Sequence, residues 1–298
     1  MRINPNIVPD ILSAIQGTQL QEQTALQELA TGKRVFLPAD DPAASALMVQ
    51  NQVTSSAVDQ YTQSAASLMN MMQTVDSTLS SVVTSATQAI SLGTEGANGT
   101  LTTAQRQTLS QEVQGIFNSA LQAGNLSYNG SYVFGGTAST APPYTAVSTP
   151  PGYTYSGNEG VNHVTVGSGY QVQINLPGDQ LFSNSNPGSD LLGSLNQLAT
   201  ALQNGTTTDI SSATLQLRSA LDYFNQQRAV YDNSMTQISA QESVLSQETV
   251  NLKSQANTLV GADITQAATM LAQAQTANSA ALSAAAKILP VNLLNYLQ

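Results

Sequence analysis

From Leu47 to Ala89, seam positions recur in alternating steps of four and three: Leu47, Asn51, Thr54, Val58, Tyr61, Ala65, Leu68, Met72, Val75, Leu79, Val82, Ala86 and Ala89. The run covers about six heptads, or roughly 65 Å of helix at 1.5 Å per residue. A helix that long needs a partner of matched length to cover its stripe, because most helical stability in proteins comes from packing. The chain carries one. Leu217, Leu221, Phe224, Arg228, Tyr231, Met235, Ile238, Glu242, Leu245, Thr249, Leu252, Ala256 and Leu259 keep the same alternation. Arg228, Glu242 and Thr249 interrupt that seam, and pairing across a bundle or facing a neighbouring subunit would each account for them.

Between the two long helices the pattern changes. Thr102 with Gln105 forms a capping box that opens a helix along Leu109, Val113, Ile116, Ala120 and Ala123. From Tyr128 to Pro187 the chain turns rich in Pro, Gly and Tyr. Val164 and Val166, then Gly167-Ser168-Gly169, then Tyr170, Val172, Ile174 and Leu176 alternate as a β-hairpin does. Helical spacing resumes at Leu191 or Leu192 through Leu195, Leu198 and Leu202, and Asp209 is placed to cap the second long helix.

The two ends are thinner. Val8, Leu12, Ile15, Leu26 and Leu29 mark a first helix whose seam is interrupted by Gln19 and Glu22. Val260, Ile264, Ala267, Leu271, Ala274, Asn278, Ala281, Ala285 and Ile288 mark a last one that is mostly Ala. Alanine buries little area, so these stripes are expected to be ordered only by packing on each other and on neighbouring subunits, and they are the expected assembly interface. The fold class expected is mainly α with an inserted β-rich domain: a long antiparallel helical rod or coiled coil from both halves of the chain, with its terminal helices paired. The expected divisions are 1–42 and 260–298 as assembly segments, 43–128 and 190–259 as rod, and 129–189 as β-rich insert.

Composition narrows the function. Lys and Arg total 8 against 18 Asp and Glu, a net charge of -10. No sizeable basic patch can form, which argues against nucleic acid and anionic membrane as partners. Only 9% of residues are charged, so the surface is one of uncharged hydrogen-bonding groups, suited to dense packing of like subunits. With no Cys there is no thiol nucleophile and no thiolate metal site. His163 is the only histidine, and Gly-x-Ser-x-Gly is absent. Glu159, Asp179 and Asp190 are dispersed in the insert, which leaves an enzyme there as the remote alternative. No catalytic, metal or cofactor residue is expected. The N-terminus lacks an apolar run long enough for a signal peptide, and no stretch could span a bilayer.

One segment is sharper than the rest. In Gly32-Lys33-Arg34-Val35-Phe36-Leu37-Pro38-Ala39-Asp40-Asp41-Pro42, Gly32 suits a helix C-cap, Asp41 an N-cap and Pro42 the first helical position. Capping explains Asp40 and Asp41 better than metal or acid/base chemistry, for which no third ligand or His is near. This segment resembles the N-terminal motif of the bacterial flagellin superfamily. Gly261-Ala262-Asp263-Ile264, with Ala280-Ala281-Leu282, Lys287-Ile288 and Leu293 to Leu297, resembles that superfamily's C-terminal motif. Proline at both 38 and 42, with Asn129 to Gly136 and Gly178 to Phe182, is more similar to the hook–filament junction branch than to flagellin, which stays the alternative. Asn158 stands where that branch is expected to carry Asp.

The resemblance implies a secreted structural protein, exported unfolded through the flagellar type III route without a cleaved signal. It implies a C-terminal export chaperone, self-association in a ring, and contact with hook-associated protein 1 on one side and flagellin on the other.

Overall fold

The computed structural model describes residues 7–186 and 188–296, with backbone alone for 7, 8 and 288–296. Val8 and Ile288, both expected in the terminal seams, therefore have side chains outside the described residues, as do Leu293 to Tyr296, and Leu297 lies beyond them. The elements in order are α1 (Ile7–Thr31), α2 (Pro42–Gly96), α3 (Thr103–Gly124), β1 (Ser127–Tyr128), β2 (Ser131–Tyr132), β3 (Tyr144–Ala146), β4 (Tyr153–Tyr155), β5 (His163–Gly167), β6 (Tyr170–Gln173), α4 (Gly178–Leu181), α5 (Leu191–Asn204), α6 (Thr207–Val260) and α7 (Ile264–Tyr296). The chain is mostly helical with a small antiparallel-strand region, the fold class read from its periodicity.

Two compact units divide it. One comprises residues 58–247 and the other residues 1–57 with 248–298, so each holds its own stretch of α2 and of α6.

In the 58–247 unit, the seam positions of α2 from Val58 to Ala89 bury Ala65, Met72, Val75, Leu79, Ala86 and Ala89 completely. Opposite them on α6 lie buried Leu217, Phe224, Tyr231 and Ile238. Arg228 is explained by α2: its Nε and Nη2 donate to Asp76 Oδ1 at 2.9 and 2.6 Å. The polar break in the seam is thus a pairing across the bundle. At the other end of this unit α3 packs on α5, and the Ser110 hydroxyl donates to the Ala199 carbonyl at 2.7 Å. Gly93 and Gly96 let α2 approach closely, since a Cβ there would strike Leu198 and Thr214, or Leu202. Helix α3 starts with the expected capping box of Thr102 and Gln105. Helix α6 starts differently from expectation. Thr206 is its cap, with Asp209 three residues on returning a bond to the Thr206 N–H at 2.8 Å. The carboxylate suits the third helical position because it closes a reciprocal box.

Among the described residues the β-rich part is three separate two-stranded antiparallel ribbons. The expected hairpin is β5–β6, pairing His163 with Gln173 and Val164 with Val172, with a bulge between Thr165 and Gly167. It ends at Gln173, short of Ile174 and Leu176, because Leu176 turns inward and its N–H donates to the Tyr231 hydroxyl at 3.0 Å. Ribbons this short are marginal alone. Aromatic packing holds them: Phe134 lies edge-on to Phe182 at 5.1 Å and to Tyr231 at 6.3 Å, and Phe182 meets Phe224 at 5.3 Å. Asn158 is exposed yet structural. Its Oδ1 accepts from the Thr137 and Gly160 N–H groups at 2.8 and 3.0 Å, and its Nδ2 donates to the Thr137 hydroxyl at 2.9 Å. An Asp could not make that last bond.

Candidate functional site

In the unit formed by the chain ends, four helix termini meet. Helix α1 stops at Thr31, and Gly32, at φ +66°, turns the backbone while donating to the Glu28 carbonyl at 2.8 Å. Glycine suits this position because it bears no Cβ to clash in the left-handed region. The next residues run antiparallel to the end of α6. Lys33 bridges Gly261, Arg34 N–H donates to the Val260 carbonyl at 2.7 Å, and Ala262 N–H donates to the Gly32 carbonyl at 2.9 Å. Val35, Ala44 and Val260 close over a small core with Met48 and Leu259.

The polar motif residues are spent on these termini. Leu37 to Asp40 form a turn with Pro38 in its second position, where a fixed φ helps, and the Asp40 carboxylate accepts from the N–H groups of Phe36 and Leu37 at 2.9 and 2.8 Å. Asp41 Oδ1 accepts from Ala44 N–H at 3.0 Å, with Pro42 first in the helix. Arg34 Nη2 reaches both Asp41 Oδ2 and the Leu259 carbonyl at 3.1 Å. A cation at the last carbonyls of α6 also opposes the negative end of the helix dipole. Asp263 begins α7, its Oδ1 accepting from Thr265 and Gln266 N–H at 2.8 and 3.1 Å. Hydrogen bonds, from the backbone of Leu37 and then Phe36 for Asp40, and from the backbone of Ala44 and then the Arg34 side chain for Asp41, hold both carboxyls below the ordinary 3.8. The arrangement joins four helix ends.

Beyond this joint α1 packs on α7. On α7 the seam from Ala267 to Ala285 is where the spacing puts it: Ala267, Ala274 and Ala285 are buried and Leu271, Asn278 and Ala281 half-buried. On α1 Ile15, Glu22 and Leu29 keep their expected places and the other positions shift by one. The covered positions are Ile11, Ile15, Thr18, Glu22, Ala25 and Leu29, while Leu12 and Leu26 are 56% and 48% exposed. Spacing of the large residues alone points one position aside. Small Ala25 takes the centre because an alanine-faced helix can approach it closely. Val260 belongs to the joint instead of the α7 seam, and Ile264 is 51% exposed. Glu22 accepts from Asn278 Nδ2 at 3.4 Å across the pair. Leu47, placed in the α2 seam by spacing, is also exposed. Sequence reasoning missed Arg34 as a link to α6 and Asp263 as a cap; only the second had a local signal, an Asp just before a helical run.

Residues 3–139 match the family model of the bacterial flagellin N-terminal helical region. The likeness to flagellin covers that segment. The chain is 27% identical over 57% of its length to flagellar hook-associated protein 3 of Escherichia coli strain K12, of which the match covers 53%. It therefore spans about half the length of that curated relative. Its fold is similar to a Vibrio parahaemolyticus structure described as a flagellar hook-associated protein, with a TM-score of 0.68 at 19% identity, covering 74% of this chain and 99% of that one. FlgL of Bacillus cereus follows, with a TM-score of 0.60 at 22% identity over 70% of this chain and 99% of that one.

Proposed function

We propose that this chain is a structural junction subunit of the bacterial flagellum. It connects the layer of hook-associated protein 1 to the flagellin filament by polymerising as a ring through its terminal helices. The observation that carries the reading is the likeness to hook-associated protein 3. The joint of Gly32 to Asp41 with Leu259 to Asp263 supports it by giving a physical use to both end motifs in one place. The subunit reaches the cell exterior through the flagellar type III route without a cleaved signal, with an export chaperone on its C-terminal region. Assembly completes the burial of terminal helices whose seam is thin.

Electron microscopy of a deletion strain tests this. Intact hooks, missing filaments and flagellin shed into the medium are expected; normal filaments would overturn the proposal. A second reading, filament subunit, draws on the flagellin model that matches residues 3–139. Long filaments grown from the purified chain on seeds would favour it, and a cap that stops there would favour the junction.

A further inference from the structure

The chain holds three Asn-Gly pairs, Asn98-Gly99, Asn129-Gly130 and Asn204-Gly205. Such a pair carries its own reaction. Glycine bears no Cβ to shield its amide nitrogen, so that nitrogen can attack the side-chain carbonyl carbon of the asparagine before it. The fold sets the three pairs in different states.

Asn204 ends α5, and the Gly205 N–H donates to the Ala201 carbonyl at 2.8 Å. A Cβ on Gly205 would lie 2.6 Å from that same oxygen, so the nitrogen is engaged and enclosed. Asn129 stands at the apex of the two-residue turn between β1 and β2, held at φ +49°. Among the described residues no donor reaches its side-chain carbonyl.

Asn98 differs from both. It lies with Gly99 and Thr100 in the exposed turn between α2 and α3. Open space surrounds Gly99 where a Cβ would stand, and its N–H donates to no protein group among the described residues. Asn98 Oδ1 accepts from the Thr100 N–H at 3.3 Å and from the Thr100 hydroxyl at 3.1 Å. Two donors on a carbonyl oxygen stabilise the negative charge that develops there when its carbon is attacked.

We propose that Asn98 is a self-modifying site, where the chain converts its own asparagine to aspartate and isoaspartate. Water takes the proton from the Gly99 nitrogen as that nitrogen bonds to Asn98 Cγ, and Oδ1 gains negative charge beneath the Thr100 donors. The carbonyl then re-forms, the Cγ–Nδ2 bond breaks, and ammonia leaves with a proton returned by water. One water opens the resulting succinimide. Addition at Cγ gives aspartate; addition at the main-chain carbonyl carbon gives isoaspartate, whose backbone runs through Cγ. The net change is one water gained and one ammonia lost, with no oxidant or cofactor. Isoaspartate adds a methylene to the turn that the Leu101 N–H closes on the Asn98 carbonyl at 3.3 Å, which loosens it. Both products add a carboxylate to a chain in which only 9% of residues are charged. None of this depends on the junction reading.

The purified whole chain would be aged in warm, mildly alkaline buffer and sampled by peptide mass spectrometry. Isoaspartate would be counted by methylation with protein isoaspartate methyltransferase. Conversion is expected fastest at Asn98, about fivefold ahead of Asn204, the ratio that one net backbone hydrogen bond supports. Thr100→Val is an exposed change that keeps the N–H and removes the hydroxyl. It should slow Asn98 severalfold and leave Asn129 and Asn204 unaltered, while Gly99→Ala should nearly abolish conversion at Asn98. Faster conversion at Asn129 or Asn204 than at Asn98, or an unchanged Asn98 rate in Thr100→Val, would overturn the inference.

Discussion

The Arg34 guanidinium donates to the Leu259 carbonyl at 3.1 Å, across 225 positions of sequence. The same nitrogen holds Asp41, the cap of α2, so one side chain ties the start of one long helix to the end of the other. Replacing Arg34 with Gln removes the charge at both contacts. Because the side chain is half exposed, the loss expected is about 1 kcal/mol or less. Hydrogen exchange should quicken at the amides of Arg34 and Ala262, whose partners lie on the opposite strand of the joint, and stay unchanged at Val172 and Leu176.

Acid should act on the two units in opposite directions. Asp40 and Asp41 are held below 3.8 by their hydrogen bonds, so their contribution to the joint is complete above that value and is lost as pH falls beneath it. Asp190, where burial outweighs bonds from Gly193 and Tyr153, is raised, as is Asp179, again chiefly by burial. For these the folded form takes up the proton first, so their part of the 58–247 unit is most stable at low pH and loses stability as pH rises through the raised values. Amide exchange followed from pH 7 down to about 3 should show protection rising at Leu195 and Leu198, in the helix that Asp190 caps, before it falls at Phe36 and Leu37.

Enlarging the α7 seam should force the terminal pair apart. Ala267 is fully buried and Ala274 nearly so. Ala267→Leu overpacks the contact with α1 at a cost of about 1–3 kcal/mol, whereas Ala277→Leu, on the exposed flank, leaves the pair intact. Limited proteolysis of the dilute chain checks this: cleavage before Lys33 and after Leu259 should be faster in Ala267→Leu than in the parent.

Phe134 and Phe182 anchor the ribbons to α6, both fully buried. Phe182→Ala should cost about 3–5 kcal/mol in urea unfolding of the 58–247 unit, in line with other large aromatic deletions. It should also free the Tyr144 ring, which sits 6.0 Å from Phe182, visible as a change in near-ultraviolet circular dichroism.

Local patterns carried much of this fold because they are local physics. The period of the α2 and α6 seams, the Thr102–Gln105 box, the Gly32 stop, the Asp41–Pro42 start and the β5–β6 hairpin each depend on residues within a turn or two. The terminal seam was harder to read. Leu12 and Leu26 looked like core because they are large, yet α7 presents alanine and the close approach selects Ala25 and Thr18. Spacing alone cannot choose between two stripes one residue apart; the shape of the partner does.

By itself, then, the sequence determined which stretches are helical, several of the caps that bound them, and a composition without thiols and poor in charge. Tertiary structure decided what those ends do together. Arg34 finding Leu259, Gly32 finding Ala262 and Asp76 finding Arg228 are contacts between residues remote in the chain, and no local propensity encodes them. They exist because two long helices run antiparallel, so that Asp76 meets Arg228 partway along them, while at the joint unpaired backbone groups of the helix ends must find partners.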